Sequence, residues 1–381
     1  MKFSPLTRGR ATVASLVGMG LLATVLAGCT SSTGGGSSSA SGPYSAAKGC
    51  TKLGFLLPES DTSARWEAND HPDMVAAIQK YLPGATLDVT NANNSSDTQI
   101  SQAEADLTKG DCILIVAPQD AQKSATIVEK ALAQHVPVIS YDRLIQDKNT
   151  AYYVSFDNTK VGELQGTYIA NNYQSYVTAN GTNQMVMING GQTDNNAILF
   201  HDGAHSVIDT LTGAGKLKLV YETYTPDWNN DTAQSEMEGA LTKYGKVAVA
   251  YVANDGMAGT VIAALKSQNL AGKVLVTGQD ATVAGIQNIL LGNQSMTVYK
   301  AISKEADAAA QLAAALSKGT DTSSLTNGQT TATQDGGKLP SVLETPVAVD
   351  KTNIASTVLA DGFVTKAAIC QGVPAGTDGI C

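Results

Sequence analysis

Ten short β-rich runs punctuate the chain at near-regular intervals, and that alternation constrains the fold more than any other feature. They are LGFLLP (53–58), ATLDVTNA (85–92), CILIVAP (112–118), VPVISYD (136–142), YYVSFD (152–157), QMVMING (184–190), LKLVYET (217–223), VAVAYVAND (247–255), KVLVTGQD (273–280) and SMTVYK (295–300). Most are separated by segments of helical length with one apolar face. In DTQISQAEADLTKG that face carries Ile100, Ala103 and Leu107; in DNTKVGELQGTYIANNY it carries Val161, Leu164 and Tyr168. Apolar strands alternating with amphipathic helices make βαβ units, and these build parallel sheets covered by helices on both faces. Ten strands over this length fit two doubly wound sheets better than one. A closed barrel is disfavoured because two runs near residue 152 follow each other with few residues between. The segment KGTDTSSLTNGQTTATQDGGKLP after residue 317 is polar and loop-like, and PVAVD (346–350) returns as one more strand. A chain that returns so late implies crossings between two lobes.

In open α/β sheets, ligands bind beyond the carboxyl ends of the strands. The residues at those ends are Arg65-Trp66, Asp142-Arg143, Asn196, Trp228, Asn254, Asp280 and Lys300. The opposite ends carry only turn residues such as Gly-Cys and Pro-Gly-Ala. Both tryptophans of the chain fall on the ligand side. Taken singly, each position has a plainer reading. An Asp or Asn there is as readily a helix N-cap, as Asp97, Asp157 and Asn158 are expected to be, and a Trp is more often core than site. The functional reading rests on their coincidence along one edge. Flat aromatic faces suit the C–H faces of a sugar ring. Asp and Asn accept from hydroxyls, and Arg, Lys and Asn donate to them. The set therefore suits an uncharged polyol.

Other classes fit less well. No Gly-rich phosphate loop follows a strand, and no basic block suggests nucleic acid. Catalysis lacks a nucleophile elbow. Asp142 and Asp280 are imaginable as a glycosidase pair, but each has a basic neighbour better read as a charge partner. His201 and His205 stand four apart, yet H-D-G-A-H lacks the glutamate of H-E-x-x-H and Gly203 weakens the helix; no metal and no cofactor is expected.

The N-terminus fixes the compartment. Lys2, Arg8 and Arg10 precede an apolar stretch that ends at Leu26-Ala27-Gly28-Cys29, the plan of a secretory signal with small residues before the cut. The tetrad resembles the bacterial lipoprotein box, in which the cysteine thiol receives diacylglycerol. A Ser/Gly-rich tether follows. Removing the three signal bases leaves 22 bases against 34 acids, a net charge of −12. Outside the membrane, four remaining cysteines suggest two disulfides. Cys50 and Cys112 each precede a strand and would lie at one end of the sheet, so Cys50–Cys112 and Cys370–Cys381 are the favoured pairs.

At the strand-end residues the sequence resembles the periplasmic sugar-binding proteins of ABC importers, in the ribose and galactose group and nearest to its xylose binders. The blocks are SARWEAND, VISYDRLIQD, YYVSFDNTKVGELQG, INGGQTDNNAILF, VANDGMAGTVIAALKSQNLAGKV, VTGQDATVAGIQNI and QSMTVYK. The resemblance implies two Rossmann-like lobes joined by three crossings, with sugar held in the cleft by Arg65, Trp66, Asp142, Arg143, Asn196, Trp228, Asn254, Asp280 and Lys300. The four cysteines after the signal and the lipid anchor depart from the soluble family pattern. The expected organisation is a signal (1–28), a tether (29–49), an N-terminal lobe (50–158 plus 301–340), a C-terminal lobe (159–300 plus 341–369) and a disulfide-closed tail (370–381). The expected partners are a monosaccharide, D-xylose foremost, and an ABC permease, with the protein acting as a monomer. Alternatives are a sugar sensor for a membrane kinase or chemoreceptor and, further off, an extracellular glycoside hydrolase. A repressor of the lactose type would share the lobes but begin with a DNA-binding headpiece.

Overall fold

The computed structural model describes residues 43–381; the signal, Cys29 and most of the tether lie outside the described residues. The first lobe opens with β1 (Lys52–Leu57), α1 (His71–Tyr81), β2 (Thr86–Asn91), α2 (Ser96–Lys109), β3 (Ile113–Val116), α3 (Ala125–Leu132), β4 (Val138–Tyr141) and β5 (Tyr152–Phe156). The second contains α4 (Asn158–Asn180), β6 (Gln184–Asn189), α5 (Asn195–Gly213), β7 (Lys218–Tyr224), α6 (Asn230–Tyr244), β8 (Val249–Val252), α7 (Asp255–Ser267), β9 (Leu275–Val276), α8 (Val283–Leu290) and β10 (Thr297–Tyr299). The chain then returns with α9 (Ile302–Lys318), followed by β11 (Thr330–Ala332) and β12 (Lys338–Glu344), and ends in the second lobe with β13 (Val347–Val349).

The first sheet has strand order β11-β12-β5-β4-β3-β1-β2, and the second β7-β6-β8-β9, with β10 and β13 forming an antiparallel pair. All pairings in the first sheet are parallel except β11 with β12. Those of the second sheet are parallel throughout. Hydrogen bonds from Val298 N–H to Gly278 O and from Asp280 N–H to Val298 O continue the second sheet onto β10. The architecture is thus α/β, two doubly wound lobes.

The hairpin of β11 and β12 corrects the expectation of a loop after residue 317. Pro340 within KLPSVLE argues against a strand, since proline cannot donate to a ladder. The strand tolerates it because its register with β5 begins one residue later, at Ser341. The third crossing consequently follows Glu344; a boundary at 340 falls inside β12. The other crossings follow β5 and β10.

The elements form where local chemistry dictates. Ser95 Oγ accepts from Thr98 N–H at 3.2 Å to start α2, and Asp157 Oδ1 accepts from Lys160 N–H at 3.0 Å to start α4. Asp97 and Asn158 are not caps; they lie inside the helices that Ser95 and Asp157 cap. Gly110 and Gly181 end these helices in the left-handed conformation, which costs glycine little. Strands β3, β4 and β8 are buried along their whole length, as expected of a sheet covered on both faces. Each fully buried Ile, Leu or Val side chain contributes about 1.5–3 kcal/mol. In the second lobe α4 and α5 pack unusually close. A Cβ on Gly162 would sit 1.9 Å from Phe200 O, and one on Gly203 2.1 Å from Thr159 O. Gly203 therefore does not break α5; it lets the two backbones meet.

Cys50 is bonded to Cys112 and Cys370 to Cys381. The first bridge joins the starts of β1 and β3. The second closes the tail, which packs Ile369 and Ile380 against Ile286, Val349 and Ile354.

Candidate functional site

The carboxyl ends of both sheets face one small cavity of about 20 Å³ between the lobes. All nine residues singled out from the sequence line it, joined by Ser63, Asp194, Phe200 and Gln279. Apart from the half-buried Ser63, every lining side chain is buried.

Asp142 sits at the end of β4 with φ 55°, a left-handed conformation that Asp tolerates better than most residues. Its Oδ2 accepts from Arg65 Nη1 at 2.8 Å and from Lys300 Nζ at 2.9 Å, while Oδ1 accepts from Asn196 Nδ2 at 3.1 Å. Burial opposes the charge on this carboxyl, but Arg65 and Lys300 outweigh it and hold its pKa below the usual carboxylate range. The close partner of Lys300 is thus Asp142.

Arg65 is gripped from behind. Its Nε donates to Asp70 Oδ2 at 2.9 Å, and its Nη2 to Asp70 Oδ1 at 2.6 Å and Glu305 Oε2 at 3.3 Å. Tyr141 Oη donates to the same Asp70 Oδ1 at 2.9 Å. Burial, with Asp142 next, raises the Glu305 carboxyl well above its ordinary pKa despite Arg65. This row fixes the guanidinium in one rotamer. The guanidinium carbons of Arg65 and Arg143 lie 4.6 and 5.2 Å from the Trp66 ring centroid, stacking worth about 0.5–2 kcal/mol each.

On the second lobe, Asp194 both caps α5, accepting from Asn196 N–H at 2.9 Å, and binds Arg143 Nε at 2.9 Å. Its Oδ2 also accepts from Trp228 Nε1 at 3.2 Å. Trp228 adopts φ 56° after Asp227 at 53°, and its ring lies over Gly190, where a Cβ would come within 2.2 Å of it. Asn196 Oδ1 accepts from Asn158 Nδ2 at 2.9 Å, so the second-lobe residue expected to be a cap instead orients a lining amide. Asn254 serves both readings: its Oδ1 caps α7 through Met257 N–H at 2.9 Å while its side chain lines the cavity.

Asp280 differs from the other two acids. It is 6% exposed. Its nearest donors are Ser63 Oγ at 3.4 Å and Arg65 Nη1 at 3.9 Å. Behind it lies Asp255, whose carboxylate accepts from Gln294 Nε2, Thr297 Oγ1 and Thr282 N–H at 2.7–2.8 Å. Burial, with the Asp280 charge contributing, pushes the Asp255 pKa up to about 7. Two polar atoms of lining residues, Trp66 Nε1 and Gln279 Oε1, are buried without a partner among the described residues.

Sequence reasoning missed the second row, Asp70 and Glu305, and the lining residues Ser63, Asp194, Phe200 and Gln279. One signal was available. Glu305 shares a helix face with Ile302, Ala309 and Leu312, and an acid on an apolar stripe calls for a buried partner.

The comparisons agree with this geometry. The family described as periplasmic binding protein domain matches residues 53–321. A D-xylose-binding periplasmic protein of Haemophilus influenzae is 39% identical over 290 residues, covering 75% of this chain and 83% of the relative. A multiple sugar-binding periplasmic receptor of Rhizobium radiobacter is 32% identical, covering 82% and 90%. Among solved structures, a carbohydrate transporter solute-binding protein of Chloroflexus aurantiacus in complex with D-glucose superimposes with a TM-score of 0.72 at 27% identity, over 83% of this chain and 97% of that one. Both relatives are periplasmic sugar binders, and that structure is a solute-binding protein, none of them an enzyme. A match across most of the chain, together with the two-lobed fold and its interlobe cavity, identifies the chain as an extracytoplasmic member of the periplasmic binding protein family, a binding protein rather than an enzyme.

Proposed function

We propose that the protein captures a monosaccharide, D-xylose foremost, between its lobes and hands it to an ABC permease while tethered by a lipid on Cys29. The observation that carries the ligand class is charge balance in the wall. Arg65, Arg143 and Lys300 face Asp142, Asp194 and Asp280, three cations against three anions, which favours an uncharged ligand rich in hydroxyls. In this reading Trp66, Phe200 and Trp228 pack on the ring faces. Asp142, Asn196, Asn254 and Asp280 accept hydrogen bonds from the hydroxyls, and Arg65, Arg143 and Lys300 donate to them. The buried, unpartnered Trp66 Nε1 and Gln279 Oε1 add a donor and an acceptor that a polyol satisfies. The xylose preference draws on the relatives at 37–39% identity named as D-xylose binders. Rotation about the three crossings admits the sugar, and closure presents a loaded surface to the permease.

A thermal-shift and calorimetry screen over aldopentoses and aldohexoses tests the ligand. D-xylose should raise the melting temperature most, and indifference to every monosaccharide would sink the reading. Cys29→Ala should release the protein from the membrane fraction and abolish palmitate labelling.

A further inference from the structure

We propose that His201, His205 and Glu222 form a binding site for one divalent transition-metal ion of the zinc type. The site lies on the second lobe, and none of the three residues lines the interlobe cavity. His201 and His205 are one turn apart on α5, and their rings stand 4.3 Å apart at 37°. Glu222 reaches them from the neighbouring strand β7. His201 Nε2 is 3.1 Å and His205 Nε2 2.9 Å from the same oxygen, Glu222 Oε1. The three candidate ligand atoms all lie within 4.8 Å of one another. Tetrahedral zinc with bonds of about 2.0–2.2 Å sets its ligand atoms roughly 3.3 Å apart, so small side-chain shifts suffice.

The outer contacts point the same way. His201 Nδ1 lies 2.8 Å from Asp202 Oδ1, and His205 Nδ1 lies 2.9 Å from Asp209 Oδ1. An ionised carboxylate only accepts, and in the metal-free chain both ring nitrogens of each histidine face a carboxylate oxygen; loss of the Nε2 protons would leave Nδ1–H donating to Asp202 and Asp209 with the Nε2 lone pairs facing inward. Carboxylate-histidine-metal relays orient zinc ligands in this way. Without metal the Nε2–H groups of both rings donate to Glu222 Oε1, and a divalent ion would displace those protons and take the same three atoms as ligands. The side chains are 20–28% exposed, which leaves a solvent-side position for water or an external ligand. The glutamate comes 17 positions after His205, from a strand, which is why no contiguous zinc motif reveals the cluster.

Calorimetric titration of EDTA-stripped, tag-free full chain with ZnCl2 tests the site. One ion should bind per chain. His201→Ala and His205→Ala should each weaken binding at least 100-fold, and Asp209→Asn, which touches no metal, should weaken it about 10- to 100-fold. Sugar binding by the variants checks their fold. In the unaltered protein, two of the four histidine ring-proton signals should shift with Zn2+, while those of His71 and His135 stay. Absence of zinc binding, or undiminished binding by the His201→Ala/His205→Ala double variant, overturns the proposal.

Discussion

Asp280→Asn separates a ligand-reading carboxylate from a structural one. The side chain is 6% exposed, yet its closest donors stand at 3.4 and 3.9 Å, beyond a good charge-assisted bond. Asn keeps the volume and tolerates the φ of 98° at this position. It removes the charge and turns one acceptor into a donor. If a sugar hydroxyl donates to that oxygen, the loss is one charge-assisted hydrogen bond, about 1.5–3 kcal/mol, or roughly 10- to 150-fold in Kd at 1.36 kcal/mol per decade. Stability of the sugar-free protein should move the other way. Arg65 is already held by Asp70 and Asp142, so little is lost, and the like charge that helps to raise the Asp255 pKa disappears. The melting temperature without sugar should hold or rise. Asp142→Asn gives the contrast, because Arg65, Lys300 and Asn196 all bond that carboxylate; breaking such a buried cluster costs about 3–5 kcal/mol. Calorimetry and sugar-free thermal melts read both quantities. Wild-type affinity in Asp280→Asn, or a drop in its sugar-free stability matching that of Asp142→Asn, would refute the reasoning.

Further outcomes follow from single contacts. Gly190→Ala puts a Cβ 2.2 Å from the Trp228 ring; the indole should be displaced, with sugar affinity falling at least tenfold and stability by about 1–3 kcal/mol from overpacking, read by tryptophan fluorescence and urea melts. The Asp255 carboxyl, raised to about 7 against about 3.9 unfolded, makes the native state hold the extra proton, so its contribution to stability falls as pH rises from about 4 to about 7. Melting curves across that range should lose this component of their slope in Asp255→Asn, although the variant is less stable throughout. Reducing Cys50–Cys112, which spans 62 residues, should cost about 4 kcal/mol by loop-closure entropy; an unchanged urea midpoint would contradict that.

The central strands β3, β4 and β8 were legible because burial on both faces writes them as unbroken apolar runs. The cavity wall was legible because the chain must place its ligand chemistry at strand ends, where Trp66, Asp142, Asn254 and Asp280 fall. What stayed hidden depends on three-dimensional partners. Nothing around Asp70 or Glu305 announces that both grip Arg65, since the residues come from distant segments. The Asp142–Lys300 pair links positions 158 apart. β12 was obscured by its proline, and Asp157 and Asn158 could not be ranked as cap and amide support from composition alone.

The glycine contact between α4 and α5 bears on how the lobes can move. With the Gly162 and Gly203 positions seated against the opposing backbones at what would be 1.9 and 2.1 Å from a Cβ, neither helix can slide along the other without collision. Shear between α4 and α5 is therefore opposed. α4 begins at the first crossing and α5 ends its first turn at the cavity wall, so torsion in that linker swings Asn196 and Phe200 as one rigid lever arm. Substituting either glycine should blur that single swing into many partial ones.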